Sequence, residues 1–311
     1  MRFPTQKDLI PVKAEWLFNF KDEVDGLSAF ELTVGPNDDP IVHLNDFDKR
    51  KLLTTLEELQ AFDKRVPKLK FVHWRNNKLL VRDFRKAEIF GHLIQPMANG
   101  NYLMSGTYPN HHGRGLVVND KGRVKAVLDL DFDIEDFQVT ASGKIWVRYG
   151  DEGCFRGEEH NYSKRIVGCF DANGNHLWPA EPDYKFGPWC THLNVVSEDC
   201  VWYCSLEHAL HRVEKFEVTK STPEREFDLS VFAVLGERLF WAPGSKVPRE
   251  SLLNVDYLTS TNIDLEDYRF YVPVDSDANP IIPRTHYATR GAKMYFISGY
   301  DVYVLDFAKI G

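Results

Sequence analysis

The sequence predicts an all-β fold, and two observations support this. Aromatic residues make up 13% of the 311 residues, and they fall in short apolar segments separated by turn signals such as Asn-Gly and Ser-Gly. A helical period of apolar residues is mostly absent. Glycine adopts positive φ freely and asparagine tolerates it, so these dipeptides favour the tight turns of β-hairpins.

The predicted hairpins are of two alternating kinds. Hairpins with bulky residues on both arms, which indicate strands buried on both faces, are centred near residues 76, 100, 143, 198, 236 and 291. More polar hairpins, typical of half-exposed outer strands, surround Lys121-Gly122 and Asn173-Gly174. The buried hairpins recur about every 43 residues, a spacing typical of four-stranded propeller blades. The sequence therefore predicts a β-propeller rather than a β-sandwich pair or a large barrel, with six blades favoured and five or seven left open.

The prediction extends to the whole chain as one domain, residues 1–311. The C-terminal segment Asp301–Asp306 is expected to pair with the N-terminal segment, because closing the ring removes exposed strand edges. One amphipathic helix is predicted near residues 47–63. Asn45-Asp46 supplies its N-cap, and leucines recur at helical spacing through the segment.

Charge and cysteine content limit the classes of partner and the compartment. The chain carries 38 Lys and Arg against 46 Asp and Glu, a formal net charge of −8, which argues against a nucleic-acid partner. No apolar run approaches the roughly 20 residues that a membrane-spanning helix needs. The five cysteines are an odd number, and the N-terminus does not resemble a signal peptide. A cytoplasmic, acidic protein without membrane or nucleic-acid partners is therefore expected.

One segment, Asp131–Phe216, resembles a group of uncharacterised bacterial β-propeller-like proteins. The motifs that carry the resemblance are Ile134-Glu135-Asp136-Phe137-Gln138, Gly143-Lys144-Ile145-Trp146-Val147, Asp151-Glu152-Gly153-Cys154-Phe155, Gly168-Cys169-Phe170-Asp171-Ala172-Asn173-Gly174 and Leu193-Asn194-Val195. Phe132 interrupts the aspartate-rich turn of the group, and Trp189 stands where an acid is usual. The resemblance implies a propeller and a bacterial source, and it implies no particular activity.

The conspicuous polar cluster is Asp151-Glu152, just after the predicted strand Ile145–Tyr149. Adjacent carboxylates at a strand end could ligate a cation or act as an acid/base pair. They could equally accept backbone hydrogen bonds and shape a blade corner, which is the outcome we expect for Asp151. With His192, these two acids are the candidate catalytic residues. The candidate binding residues are the charged and imidazole side chains near them: Asp133, Glu135, Asp136, Arg148, His111 and His112.

No metal or cofactor site is predicted. Cys190, His192, Cys200 and Cys204 lie close together in the sequence, but on a strand the last two cysteines would stand about 13 Å apart, too far for one zinc ion. The sequence has no phosphate-binding loop, dinucleotide fingerprint or nucleophile elbow.

Two functional hypotheses remain. The favoured one is a non-enzymatic propeller that binds another protein, since the acidic balance suits a basic partner. Neutralisation of a bacterial toxin, as by an immunity protein, and scaffolding of a complex are the specific versions of this hypothesis. The alternative is a metal-assisted hydrolase or lyase that uses carboxylates and histidines at the propeller channel.

Overall fold

A computed structural model describes residues 9–46, 55, 57, 68–84, 93–106, 114–130, 134–150, 166–179, 190–205, 209–222, 229, 231–242, 258–262, 269–283 and 286–310. The chain divides into two compact units. Unit 1 comprises Met1–Asn19, Arg165–Val167 and Ala180–Gly311, and unit 2 comprises Phe20–Lys164 and Gly168–Pro179. The single-domain organisation of residues 1–311 and the closure of its ring stay predictions.

The described residues form β-strands and two short 3₁₀ helices, Lys21–Glu23 and Phe307–Lys309. The first two strands are β1 (Leu9–Lys13) and β2 (Glu15–Asn19). The strands of unit 2 are β3 (Ser28–Val34), β4 (Pro40–Asn45), β5 (Leu69–Arg75), β6 (Lys78–Asp83), β7 (Ile94–Pro96), β8 (Tyr102–Gly106), β9 (Arg114–Val118), β10 (Val124–Asp129), β11 (Ile134–Val139), β12 (Ile145–Tyr149), β13 (Val167–Phe170) and β14 (His176–Pro179). The remaining strands of unit 1 are β15 (Cys190–Ser197), β16 (Cys200–Ser205), β17 (Leu210–Glu214), β18 (Glu217–Ser221), β19 (Phe232–Leu235), β20 (Arg238–Trp241), β21 (Leu258–Asn262), β22 (Arg269–Val274), β23 (Tyr287–Arg290), β24 (Lys293–Ser298) and β25 (Asp301–Asp306).

Unit 2 consists of three four-stranded sheets in which strands adjacent in sequence lie side by side. The orders are β3-β4-β5-β6, β7-β8-β9-β10 and β11-β12-β13-β14. The first strands of the first and third of these sheets, β3 and β11, each contact β7, the first strand of the second sheet. We call these three the inner strands of unit 2. Outer strands such as β10 are mostly exposed. This gradient from buried to exposed is the one that the two kinds of hairpin predict.

Hydrogen bonds tie the inner strands of unit 2 together. The Thr33 hydroxyl on β3 donates to the Ile94 carbonyl on β7 at 2.6 Å. The Val139 amide on β11 donates to Gln95 Oε1 on β7 at 2.8 Å. Apolar side chains that include Leu93, Leu103 and Phe137 pack as a core cluster of the same unit. These bonds fix the positions of the three inner strands within unit 2.

Unit 1 contains the sheets β15-β16-β17-β18 and β2-β25-β24-β23, and the five-stranded sheet β1-β22-β21-β20-β19. The N-terminal strands complete two of these sheets. β1 pairs parallel with β22, and β2 pairs antiparallel with β25, the C-terminal strand. The Trp16 indole and the Asn19 amide both donate to Asp301 Oδ1, at 2.9 and 2.8 Å. The predicted pairing of the C-terminal strand with the N-terminal segment is therefore present.

The all-β class is confirmed, and five sheets have the four strands of a propeller blade. The prediction of six blades is not matched, because the remaining sheet, which contains β1, has five strands. The helix predicted near residues 47–63 lies almost entirely outside the described residues, and none of the described helical segments with defined bounds matches it. The hairpin near residue 76 was predicted as a buried one, which is wrong. It joins β5 to β6, the last two strands of its sheet, and β6 is half-exposed.

Candidate functional site

Three of the predicted binding residues lie together in unit 2. Glu135 and Asp136 are on β11, and Arg148 is on the neighbouring strand β12. Of the other predicted residues, the structure describes only His192, which is on β15 of unit 1. Asp133, His111, His112, Asp151 and Glu152 lie outside the described residues.

A β-bulge on β11 positions the two acids. The register between β11 and β12 shifts between Ile134 and Asp136, and Asp136 lies directly opposite Arg148. A bulge re-aims the side chains beside it. The Arg148 guanidinium therefore reaches both Glu135, with Nη2 3.6 Å from Oε2, and the Glu135 carbonyl at 3.3 Å.

The end of β12 is held firmly next to this arginine. Tyr149, the residue after Arg148, is fully buried, and its hydroxyl donates to the Leu130 carbonyl at 2.8 Å. A buried tyrosine hydroxyl with a partner contributes both packing and a fixed direction. This anchor limits where the Arg148 side chain can extend.

Glu31 joins this cluster from β3, and sequence reasoning missed it. β3 also has a bulge, with its register to β4 shifting between Ala29 and Glu31. The Glu31 carboxyl interacts electrostatically with both Asp136 and Arg148. We call Glu31, Glu135, Asp136 and Arg148 the carboxylate cluster. It contains three acids and one base on the inner strands β3 and β11 and on β12.

The environment favours the neutral form of two of these acids. Burial raises the pKa of Glu31 from 4.5 to about 7, and the negative charge of Asp136 adds to the rise while Arg148 opposes it. Burial likewise raises the pKa of Asp136 from 3.8 to about 6, against the lowering effect of Arg148. Both residues are half-buried. One guanidinium therefore does not offset the cost of removing two carboxylates from water.

His192, a predicted catalytic candidate, makes contacts typical of a structural residue. It is buried, its Nε2 lies 2.7 Å from Thr289 Oγ1, and its ring packs edge-on against Phe232 at 4.9 Å between centroids. These partners lie on β23 and β19, so His192 links three sheets of unit 1. Its role in catalysis stays a prediction.

Asn194, two residues further along β15, links the same three sheets. Its Nδ2 donates to the carbonyls of Phe232 at 3.1 Å and Gly291 at 3.0 Å. Its Oδ1 accepts the Gly291 amide at 2.7 Å. Asn194 is fully buried, and a buried amide that uses donors and acceptor together holds its neighbours in one arrangement.

A second buried polar network in unit 2 was also missed. His73 Nε2 lies 3.0 Å from Asp39 Oδ2, and His73 Nδ1 lies 3.2 Å from the Tyr102 hydroxyl. All three residues are buried, and they connect β5 and the turn before β4 to β8 of the next sheet. The signal in the sequence is a histidine within an otherwise apolar strand, Leu69–Arg75.

Burial disfavours the thiolate form of two of the described cysteines, Cys169 and Cys200. Cys169, Cys190, Cys200 and Cys204 are buried, and no disulfide joins any two of them. Burial raises the pKa of the Cys169 thiol to about 12 and also raises that of Cys200, which disfavours the nucleophilic form. Within the part of the chain that the structure describes, no three or more His, Cys, Asp or Glu side chains are placed to hold a metal ion.

Comparisons with known proteins show no close relative. No protein-family model matches the chain, and no curated protein sequence matches it. Among solved structures, KlHsv2 with loop 6CD replaced by a Gly-Ser linker aligns at a TM-score of 0.48 and 11% identity, over 90% of this chain and 78% of that one. The WD40 β-propeller domain of Doa1 aligns at 0.45 and 9%, over 76% and 88%.

A third structure, PorZ, is an essential bacterial surface component of the type-IX secretion system of Porphyromonas gingivalis. It aligns at a TM-score of 0.44 and 9% identity, over 94% of this chain and 34% of PorZ. These similarities are too low to support an argument about function. As for membranes, none of the described helical segments has the length and apolar character of a membrane span.

Proposed function

We propose that this protein binds another protein through the carboxylate cluster of unit 2, without catalysing a reaction. The observation that carries the proposal is the excess of acid. Glu135 lies 3.6 Å from the Arg148 guanidinium, and the carboxyls of Glu31 and Asp136 also interact electrostatically with this one arginine. A basic side chain of a partner would supply the missing positive charge, and charge-assisted hydrogen bonds to carboxylates are among the strongest in proteins.

The overall charge supports the same class of partner. A net charge of −8 attracts basic proteins at long range and speeds their association. We propose that this partner is a basic toxin that the protein neutralises, or a basic subunit of a complex for which the protein serves as a scaffold. Both fit a cytoplasmic protein.

The alternative is a metal-assisted hydrolase or lyase. No observation on the described residues favours it. Its candidates Asp151 and Glu152 lie outside the described residues. His192 bonds to Thr289 within unit 1. The alternative would gain support if these three side chains were shown to bind one metal ion.

The test begins with proteins that co-purify from the native cell. Each captured protein is purified, and its affinity is measured by titration against the wild type and the variant Glu31→Gln/Asp136→Asn. The matched control is Asp120→Asn/Asp129→Asn, which removes two exposed carboxylates of the same unit, one in the turn between β9 and β10 and one at the end of β10. We expect the cluster variant to lose at least about tenfold in affinity, equivalent to about 1.4 kcal/mol, and the control to lose little. Equal losses in both variants, or none in either, would contradict the proposal.

A further inference from the structure

We propose that an exposed aromatic surface on the sheet β2-β25-β24-β23 of unit 1 binds an arginine side chain of a partner protein. The surface, which we call the Trp16 surface, consists of Trp16 on β2 and of Tyr303 and Asp301 on β25. It belongs to a different unit from the carboxylate cluster. It is therefore a second site, and its test does not depend on the proposed function.

Trp16 is exposed and yet fixed in orientation. At 55% it is the most exposed large apolar side chain among the described residues, and a partner that covered it would remove a large apolar area from water. Its indole Nε1 donates to Asp301 Oδ1 at 2.9 Å, and the same oxygen accepts the side-chain amide of Asn19 at 2.8 Å. A ring that is already held in place loses little conformational entropy on binding, which is a property of aromatic anchors at interfaces.

A β-bulge in β2 produces this arrangement. The register of β2 against β25 shifts after Trp16, so that Trp16 lies opposite Tyr303 and Asn19 lies opposite Asp301. In a regular strand, two residues three positions apart would point to opposite faces of the sheet. The extra residue of the bulge brings Trp16 and Asn19 to the same face, where both reach Asp301. The indole is thus fixed beside a carboxylate.

Aromatic residues continue from Trp16 across the whole sheet. Tyr303 lies opposite Trp16, and Phe296 on β24 lies opposite Tyr303. Tyr287 on β23 lies opposite Phe296 in turn. The rings of Phe296 and Tyr303 stack at 5.6 Å between centroids, and Phe296 is buried in a core cluster of the unit. The core therefore supports the Trp16 surface through Tyr303, and Trp16 is the exposed end of the row.

The charge on this face of the sheet is negative. On β25 the face presents Asp301, Tyr303 and Leu305, and on β24 and β23 the positions opposite them are apolar, aromatic or hydroxyl side chains. Asp301 is the only charged residue among the described strand positions of this face. An exposed indole beside an acid attracts a cation, because the ring face carries partial negative charge.

Two lysines that are close to this surface in sequence are directed away from it. Lys309 forms ion pairs with Glu15 and Asp306, at 3.6 and 3.7 Å. These two acids belong to the opposite face of the sheet, since each is one position from a residue of the Trp16 face. Lys13 follows Val12 on β1, and Val12 packs into the core cluster that this sheet also lines. Strand alternation therefore directs Lys13 to the other side of its own sheet.

A second carboxylate adds to the negative potential. Asp275 follows β22 in the five-stranded sheet of the same unit. Burial raises the pKa of the Tyr303 phenol, and the negative charges of Asp301 and Asp275 add to the rise. Hydrogen bonds from the backbone and side chain of Asn279 lower the pKa of Asp275, so Asp275 keeps its charge at neutral pH.

These features fit an arginine better than a lysine. A guanidinium is planar and always charged, it stacks on an indole face, and it donates to carboxylates from a rigid fork. A lysine ammonium is a compact point charge that is more strongly hydrated, so it gains less from an aromatic ring at an exposed site. We therefore expect a guanidinium to lie over the Trp16 ring and to donate to the Asp301 carboxylate.

The test titrates the full-length protein with N-acetyl-arginine methylamide and follows the indole ¹H–¹⁵N signals of its seven tryptophans by NMR. Trp16→Phe identifies the Trp16 signal by removing it. We expect this signal to shift to saturation, and the affinity for N-acetyl-citrulline methylamide, which has the same shape without the charge, to be at least about fivefold lower. The indole of Trp178, which is half-exposed and belongs to unit 2, is the internal control and should not shift.

Asp301→Asn tests the charge while it keeps an acceptor for the indole. The amide oxygen of this variant can still accept from Trp16 and Asn19, so we expect the ring to stay in place and the arginine affinity to fall by at least about threefold. The matched control is Glu217→Gln, which removes an exposed carboxylate from β18 in another sheet of unit 1. It should leave the affinity unchanged.

Several outcomes would overturn the proposal. The titrations of the unmodified protein are sufficient even if Asp301→Asn is unstable. No shift of the Trp16 signal up to about 50 mM arginine derivative would exclude the site, and equal affinities for the arginine and citrulline derivatives would exclude a cation as the occupant. A shift with methyl glucoside but none with the arginine derivative would assign the surface to a carbohydrate. Equal losses of affinity in Asp301→Asn and Glu217→Gln would indicate attraction by the overall charge rather than by this surface.

Discussion

Replacing Asn194 with alanine should loosen the junction of three sheets in unit 1. The Asn194 side chain makes three hydrogen bonds, two donated to the Phe232 and Gly291 carbonyls and one accepted from the Gly291 amide. It is fully buried, so water cannot easily replace the lost bonds. The variant therefore removes a polar link without introducing a new group that could clash.

The expected loss of stability depends on the number of hydrogen bonds removed and on the hydrogen bonds that the Gly291 backbone groups keep. A buried hydrogen bond contributes about 0.5–1.5 kcal/mol net, which gives about 1.5–4.5 kcal/mol for three. The loss is smaller here, because the Gly291 carbonyl still accepts the Val234 amide at 2.9 Å and the Gly291 amide still donates to the Val195 carbonyl at 3.1 Å. We expect Asn194→Ala to lower the free energy of unfolding by about 2 kcal/mol.

Hydrogen exchange at the Gly291 amide is the most direct assay, because this amide donates to Asn194 Oδ1. A loss of about 2 kcal/mol corresponds to an acceleration of roughly 30-fold if the amide exchanges by opening of this junction. Urea unfolding should show a lower midpoint at an unchanged slope. The control is Asn37→Ala, an exposed asparagine, for which no change in either measurement is expected.

A second variant separates geometry from hydrogen bonding. Asn194→Asp keeps the shape and one acceptor, but it places a carboxylate next to the Phe232 and Gly291 carbonyls. We expect it to be less stable than Asn194→Ala at pH 7, because an unpaired buried charge costs more than a missing amide. Unchanged Gly291 exchange in Asn194→Ala, together with a fully stable Asn194→Asp, would refute the reasoning.

Three further outcomes are expected. Tyr102→Phe deletes only the hydroxyl that lies 3.2 Å from His73 Nδ1, and it should lower the unfolding free energy by about 1 kcal/mol in urea titrations; a variant as stable as the parent would show that this contact is weak. Gly143 has a φ of +92° and an added Cβ would lie 3.1 Å from Ala172, so Gly143→Ala should lose at least about 1 kcal/mol by the same assay, whereas an increase in stability would contradict the strain argument. Asp151→Ala should lower the unfolding free energy by about 1.5–3 kcal/mol, and with it the melting temperature, if the carboxylate holds a blade corner. A variant that melts at the same temperature as the parent but loses partner binding would instead favour a functional role. Glu152→Ala is the companion variant.

Much of the strand pattern was predictable, because turns and apolar alternation are local properties. The Gly143, Gly174 and Gly236 turns have the positive φ that their sequences predict. The error near residue 76 has a physical cause. Asn76 also adopts positive φ, at 52°, so the turn itself was right. The first five residues of the strand before it are buried, so its apolar sequence led us to predict a buried hairpin although the strand after it is half-exposed.

The position of that hairpin within its sheet depends on β3 and β4, whose connection runs through Gly35. An added Cβ there would lie 2.3 Å from both Asp39 Oδ1 and a Pro96 side-chain atom. Gly35 is therefore required partly by Asp39 of its own turn and partly by Pro96, which comes from the next sheet. A sequence scan for Asn-Gly and Ser-Gly signals cannot detect such a requirement.

The carboxylate cluster shows the same division between local and long-range information. Glu135, Asp136 and Arg148 were identifiable because they belong to one predicted hairpin, so their proximity follows from strand pairing alone. Glu31 comes from a different sheet, and its strand Ser28–Val34 contains only this one charged side chain. The pKa of Asp136 depends on burial that β11 does not provide by itself, and the pKa of Glu31 depends on Asp136. A single charged residue on an inner strand is therefore the signal to search for in a sequence. Inner strands of different sheets lie side by side, so such a residue can meet acids or bases from distant parts of the chain.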